Sequence, residues 1–337
     1  MKNLLHEIIE ADSVFLSTMD SSNTLEYYIK AFSKLKVNRA GEKISPHKPV
    51  MLLAVIDLAE SGLLLENRIN YNQQLLDRFR TYFQVVQEPG DICNPYFPFF
   101  HLHNELFWHL KPLPGREAVV VALTTVRGPT QIDENIAYAF LDSELFEIMN
   151  IPNERMLLRQ TLIDTWFPKD HEVIKTVWAQ EKRITSYEKL LRGRVESRDT
   201  ERDVKNYSEK VRDSAFSRVV REAYDYRCAA SGWRIILPDG AVLVEAAHLI
   251  PFSEIQDDDP RNGIALAPNF HWALDQHILA PGTDLKWHIS PQLDNRNRDY
   301  QELIELDKKP LLLPANKKYY PRMDAIEWRI KHLLGRP

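Results

Sequence analysis

Cysteine is nearly absent. Cys93 and Cys228 are the two in 337 residues, which excludes a disulfide framework and a four-cysteine zinc site. No apolar run approaches the roughly 18 residues a membrane span needs. The opening MKNLLHEIIEADSVFL carries acids inside its apolar stretch and lacks a small-residue cleavage site, so it does not read as a signal peptide, and the expected compartment is the cytoplasm. Internal repeats and low-complexity segments are lacking too. A positive excess is also missing: 43 Lys and Arg stand against 48 Asp and Glu, a net charge of −5, which argues against coating nucleic acid by bulk charge. With 44% hydrophobic and 27% charged residues the chain is of ordinary globular composition, long enough for two domains.

Charge is uneven along the chain. From Glu181 to Arg234, 14 Lys and Arg face 10 Asp and Glu. That strip suits a local nucleic-acid contact, and a solvated helix of alternating signs explains it equally well.

Apolar spacing predicts helices in LLHEIIEADSVFL and LEYYIKAFSKL. Ser45-Pro46 reads as a helix start, serine capping and proline in the first turn, and KPVMLLAVIDLAESG as a buried core helix ending at Gly62. QQLLDRFRTYFQVV is amphipathic. Residues 88–115 hold five prolines and six aromatics, and read as a loop leading into short strands at FFHL and LFWHL, with a third strand at AVVVAL. Helices are expected in DENIAYAFLD, DSELFEIMN and NERMLLRQTLIDTWF. The expected fold is α+β: a helix-rich N-terminal domain with a small sheet over 1–170, a helical linker over 171–212 and a smaller body over 213–337.

The chemistry lies between Phe216 and Leu279. A β-rich AVLVEA ends near His248, a polar acidic loop follows, Asn262-Gly263 makes a turn, and a helix starting at Pro268-Asn269 carries His271 and Asp275. A spacing of four residues puts that pair on one helical face, able to converge on one cation. A histidine fixed on a strand can take a proton from water as general base, and a divalent ion can stabilise charge on a phosphodiester in displacement. Asn262 would pin the loop that orients His248.

The segments FSRVVREAYDYRC, AAHLIP, DDDPRNGIAL and HWALD resemble the HNH endonucleases, a ββα-metal fold. The resemblance implies His248 as general base, Asn262 as loop-orienting residue, and His271 with Asp275 on the metal side, with Mg²⁺ or Mn²⁺ as cofactor. The position before the base, a metal ligand in many members, is Ala247 here; Glu245, on the same strand face, can substitute. SPHKPVMLLAVIDLAESG and NPYFPFFHLHNELFWHL resemble the DNA sulfur-binding domains of modification-dependent (type IV) restriction endonucleases. That resemblance implies phosphorothioated double-stranded DNA as partner. His47, Lys48, Pro98, Phe99, His101 and Arg116 are the candidate DNA contacts, although Phe99 and its aromatic neighbours also suit a core. Other readings are a modified base as the mark, and a DNA-binding regulator whose HNH fold is catalytically silent. One active site per chain implies a homodimer for double-strand cutting.

Overall fold

The computed structural model describes residues 21–41, 43–197 and 206–335, and the predicted first helix lies outside them. The chain divides into two compact units, 1–179 with 238–240, and 180–237 with 241–337. Both are of mixed α+β type.

The first unit is built around one apolar helix. Its elements are α1 (Ser21–Ser33), a short β1 (Arg39–Ala40) and β2 (Lys43–Ile44) ribbon, then α2 (His47–Ser61), α3 (Gln73–Val86) and α4 (Tyr96–His101). They continue with β3 (Trp108–Pro112), α5 (Glu117–Ala122), α6 (Pro129–Asn135), β4 (Ile136–Leu141), α7 (Ser143–Asn150), α8 (Pro152–Trp166) and α9 (His171–Ser197), whose length crosses the division between the units. Every residue from Val50 to Ile56 on α2 is fully buried, which is what a continuously apolar helix requires. It ends at Gly62, whose left-handed φ of 70° lets its N–H reach back to the carbonyls of Ala59 and Leu58. Asn72 caps α3 by accepting from the Leu75 N–H at 3.1 Å.

Several local expectations are overturned. FFHL is helical, in α4 and the turn after it, because Phe99, Phe100 and Leu102 all face the core from one helical side. AVVVAL forms the short surface helix α5, with no buried side chain. DENIAYAFLD splits: the helix stops at Asn135, and Ile136–Leu141 becomes the strand that pairs antiparallel with β3, Trp108 opposite Leu141. The β-branched and aromatic content of IAYAFL wins once a partner strand exists. Ser45 does not cap α2. Pro46 takes the cap position, and the Ser45 hydroxyl is bonded to His47 Nδ1 at 2.8 Å.

The second unit adds α10 (Glu209–Ala223), β5 (Glu245–His248), β6 (Gly263–Leu266), α11 (Pro268–Asp275), the β7 (Leu279–Pro281) and β8 (Trp287–Ile289) hairpin, and α12 (Met323–Lys331). β5 and β6 pair antiparallel, Glu245 opposite Leu266 and His248 opposite Gly263. Gly263 is required by close approach: a Cβ there would lie 2.5 Å from Val220 Cγ2 and 2.8 Å from Phe216 Cζ of α10. Cys228 is buried, its sulfur accepting from the Ser231 and Ala267 N–H groups.

One buried polar group of the first unit is an ion cluster. Arg159 on α8 donates to Asp57 of α2 at 2.5 Å and to Glu60 at 2.7 Å, and Tyr82 donates to Asp57 at 2.8 Å. Arg159→Met leaves Asp57 as an unmatched buried charge. The expected loss is about 3–5 kcal/mol of unfolding free energy, read from the denaturant midpoint of the full chain.

Candidate active site

β5 delivers His248 at its last position, and the loop back to β6 is closed by Asn262. Asn262 is fully buried. Its Oδ1 accepts from the Ile250 N–H at 2.9 Å, and its Nδ2 donates to the carbonyls of Ile250 at 2.9 Å and Asp257 at 3.2 Å. Its own carbonyl accepts from the Leu249 N–H at 2.8 Å. One amide thus ties both ends of the loop to the strand that carries His248.

The imidazole of His248 is held on two sides. Phe216 of α10 stacks on it with centroids 3.9 Å apart and planes within 3°. Its Nε2 lies 3.0 Å from Asp258 Oδ1, and the Phe252 ring meets it edge-on at 6.2 Å. Asp258 is itself fully buried, accepting also from Tyr187 OH and from Arg212 Nη1, each at 3.0 Å. The Arg212 guanidinium lies over the Phe252 ring at 3.9 Å.

The segment that reads from sequence as a polar acidic loop is an interior one. Asp257, Asp258 and Asp259 are all buried. Asp257 meets Arg322 at 2.8 Å, and Asp259 takes a two-pronged bond from Arg261, Nε at 2.9 Å and Nη2 at 2.6 Å. Burial alone would raise Asp258 and Asp259. The bonds from His248 and Tyr187 and the Arg212 charge hold Asp258 below the ordinary carboxylate value, and Arg261 does the same for Asp259.

A second cluster is formed by Glu245 of β5 and two side chains of α11. His271 stands between two carboxylates: Glu245 Oε2 is 2.7 Å from its Nδ1, and Asp275 Oδ2 is 3.5 Å from its Nε2. Ala247 is buried in the core and offers no ligand. Glu245 therefore reaches His271 from the strand position two residues earlier. Because the carboxylates flank opposite ring edges, they do not share one nitrogen, and no set of three His, Cys, Asp or Glu side chains forms a cation cage among the described residues. Asp275 with His271 Nε2 supplies an oxygen and a nitrogen donor of the kind a divalent ion takes. Were that nitrogen to take an ion, Glu245 on Nδ1 would be the carboxylate that orients the ring.

Arg329 of α12 joins the two clusters and escaped the sequence reading. Buried, it donates to the carbonyls of Leu249 at 2.6 Å, His248 at 2.8 Å and Leu274 at 3.1 Å, tying the end of β5 to the end of α11. Burial lowers it to about 10.

In the first unit, four of the six residues marked as DNA contacts line one cavity of about 270 Å³: His47, Lys48, Pro98 and His101, with Lys36, Asn94 and Phe97 among the others. Phe99 does not: it is fully buried, edge-on to Trp108 and Tyr71, so it cannot touch DNA from there. Arg116 is exposed and outside the lining. Phe97 is the aromatic that does line the cavity, stacked on His101 at 5.2 Å. Lys48 is paired with Glu105, which also accepts the Lys36 N–H at 3.0 Å. Burial lowers both His47 and His101, so their rings stay neutral near pH 7.

A family model described as HNH endonuclease matches residues 228–280, the stretch holding β5, β6 and α11. No curated protein matches the chain. Among solved structures the chain is similar to one described as "Modification dependent TagI restriction endonuclease", at 20% identity and a TM-score of 0.27, covering 35% of this chain and 37% of that one. The shared part is thus little more than a third of that protein's length, a likeness too slight to argue from.

The lowered acids set an acid limit. Asp258 and Asp259 contribute stability in full above the ordinary value of 3.8, and lose it as pH falls through their lowered values. Near-UV circular dichroism of the second unit is expected to collapse below about pH 4, and Asp259→Asn to flatten that transition.

Proposed function

We propose that the chain, whose residues 228–280 form an HNH endonuclease domain, is a modification-dependent endonuclease that hydrolyses the backbone of double-stranded DNA. The observation that supports this most is His248, clamped by Phe216 and Asp258 at the end of a strand whose return loop Asn262 ties down. A base must be held in one orientation to take a proton in the transition state, and this one is.

In this reading His248 takes the proton of the attacking water, whose oxygen forms the new bond to phosphorus as the bond to the leaving oxygen breaks. Asn262 keeps the loop, and so His248, in place. His271 and Asp275 would hold the divalent ion, Mg²⁺ or Mn²⁺, with Glu245 orienting His271. When bound, such an ion supplies positive charge against that developing on the phosphate and leaving oxygen. Two chains would be needed to cut both strands, and a homodimer follows.

Recognition is assigned to the first unit and its cavity. A phosphorothioate sulfur is larger and less strongly hydrated than the oxygen it replaces, so it gains from apolar edges where an ordinary phosphate oxygen would lose its water. The edges of Pro98 and Phe97, with a Lys48 charge already matched by Glu105 and neutral His47 and His101, favour the softer atom. Exposed Lys36 at the rim can meet the phosphate charge.

The test is plasmid cleavage with Mn²⁺ or Mg²⁺ on matched plasmids with and without phosphorothioate, with His248→Ala as control. Cutting of the modified plasmid alone, lost in the variant, is expected. Cutting of both removes the account of the first unit. Binding without cutting, unchanged by His248→Ala, identifies a regulator with a silent nuclease fold. Lys36→Ala combined with Pro98→Ala, which removes one charged and one apolar contact, is expected to weaken binding to the modified duplex at least about 10-fold, roughly 1.4 kcal/mol, with cutting by the bound enzyme intact.

A further inference from the structure

We propose that Asp258 is the positioning residue of the nuclease site, deciding which nitrogen of His248 is free to take the water proton. The proposal rests on His248 being the general base and adds a residue that the order of histidine, asparagine and histidine leaves out.

The bond between Asp258 Oδ1 and His248 Nε2, at 3.0 Å, has one possible direction. A carboxylate held in its ionised form has no proton to give, so Nε2 carries the hydrogen and Asp258 accepts it. In a neutral imidazole the lone pair is then on Nδ1. Without this partner the two tautomers would compete, and a base protonated at the nitrogen facing water cannot act.

The ring cannot escape the assignment by turning. Phe216 covers one face at 3.9 Å and nearly parallel, which fixes the plane, while Asp258 fixes the edge. Asp258 is fixed in turn by Tyr187 of α9 and Arg212 of α10, from two different helices. Among the described residues the charged and titratable groups around His248 are Asp258, Arg212 and Tyr187, with Asp213 of α10 within reach of its field and Arg329 of α12 on its backbone carbonyl at 2.8 Å.

The step balances without moving a proton onto Asp258. The water O–H bond breaks and the hydrogen goes to Nδ1. The water oxygen bonds to phosphorus, and the bond to the leaving oxygen breaks. His248 becomes an imidazolium, and the neighbouring carboxylate stabilises the charge it has gained. This is the division of labour between an orienting acid and a histidine base in other hydrolases.

A purely structural role for Asp258, holding Arg212 and Tyr187 in the interior, would give a different outcome in two experiments. The first uses the full chain on modified plasmid with Mn²⁺, comparing Asp258→Asn and Asp258→Glu with the unaltered protein. Asp258→Asn is expected to lower turnover about 100-fold or more with KM unchanged, because its amide can impose the wrong tautomer. The acid limb of its pH–rate profile should move to lower pH, since the imidazolium has lost its counter-charge. Asp258→Glu, which restores a carboxylate, should recover part of the rate. The second experiment needs neither cutting nor a variant: ¹⁵N–¹H correlation spectra of selectively ¹⁵N-histidine-labelled protein give the tautomer of His248 directly. Hydrogen on Nε2 is expected. Hydrogen on Nδ1, or a folded Asp258→Asn protein with unaltered turnover and pH profile, overturns the proposal. If the unaltered protein cuts no DNA at all, the assignment of nuclease activity falls, and the tautomer still decides the geometry claimed for Asp258.

Discussion

Three carboxylates folded into the interior hold the second unit together. Asp257, Asp258 and Asp259 are consecutive and all buried, a costly arrangement unless each is matched. Each is: Arg322 serves Asp257, Arg212 with Tyr187 and His248 serves Asp258, and Arg261 serves Asp259. Because the partners come from different helices and from the loop itself, this short stretch fixes where several elements meet. It also places a carboxylate at the edge of the His248 ring.

Around that interior the unit separates two tasks. His248 lies on a sheet position whose neighbour Ala247 points into the core, while Glu245 reaches His271 from the alternate position. A strand's alternation gives the two residues different neighbours, the Phe216 ring for His248 and the His271 ring for Glu245. Arg329 bonds to carbonyls of both β5 and α11, so the distance between the two tasks is set by a residue more than fifty positions further along the chain. One of those carbonyls, that of Leu274, also accepts from the His277 N–H at 3.0 Å.

The first unit divides its aromatics by depth. Phe99, Phe100 and Trp108 fill the core, whereas Phe97 and Pro98, from the same short helix, line a cavity with polar groups from α2. The pairing of Lys48 with Glu105 keeps that cavity from being simply cationic. Such a surface discriminates by hydration and polarisability more than by charge.

Much of this was legible in the residues. The apolar run of α2 and its stop at Gly62, the amphipathic α3, and the order of His248, Asn262-Gly263 and His271 with Asp275 are local patterns, and local patterns follow from periodicity, turn chemistry and spacing. So the mixed α+β class and the nuclease segment could be read before any coordinates. The strand at Ile136–Leu141 could not, because a short run of alanine and aromatics becomes a strand only when Trp108–Pro112 lies beside it. Nor could the inward turn of the three aspartates: a run of acids reads as solvated unless the arginines that match it are known to be near, and Arg212 and Arg322 lie 46 and 65 positions away from their partners. The sequence by itself determined which side chains could do the chemistry. The tertiary structure decided which are held to do it, because ion pairing and burial act between residues that the chain order keeps apart.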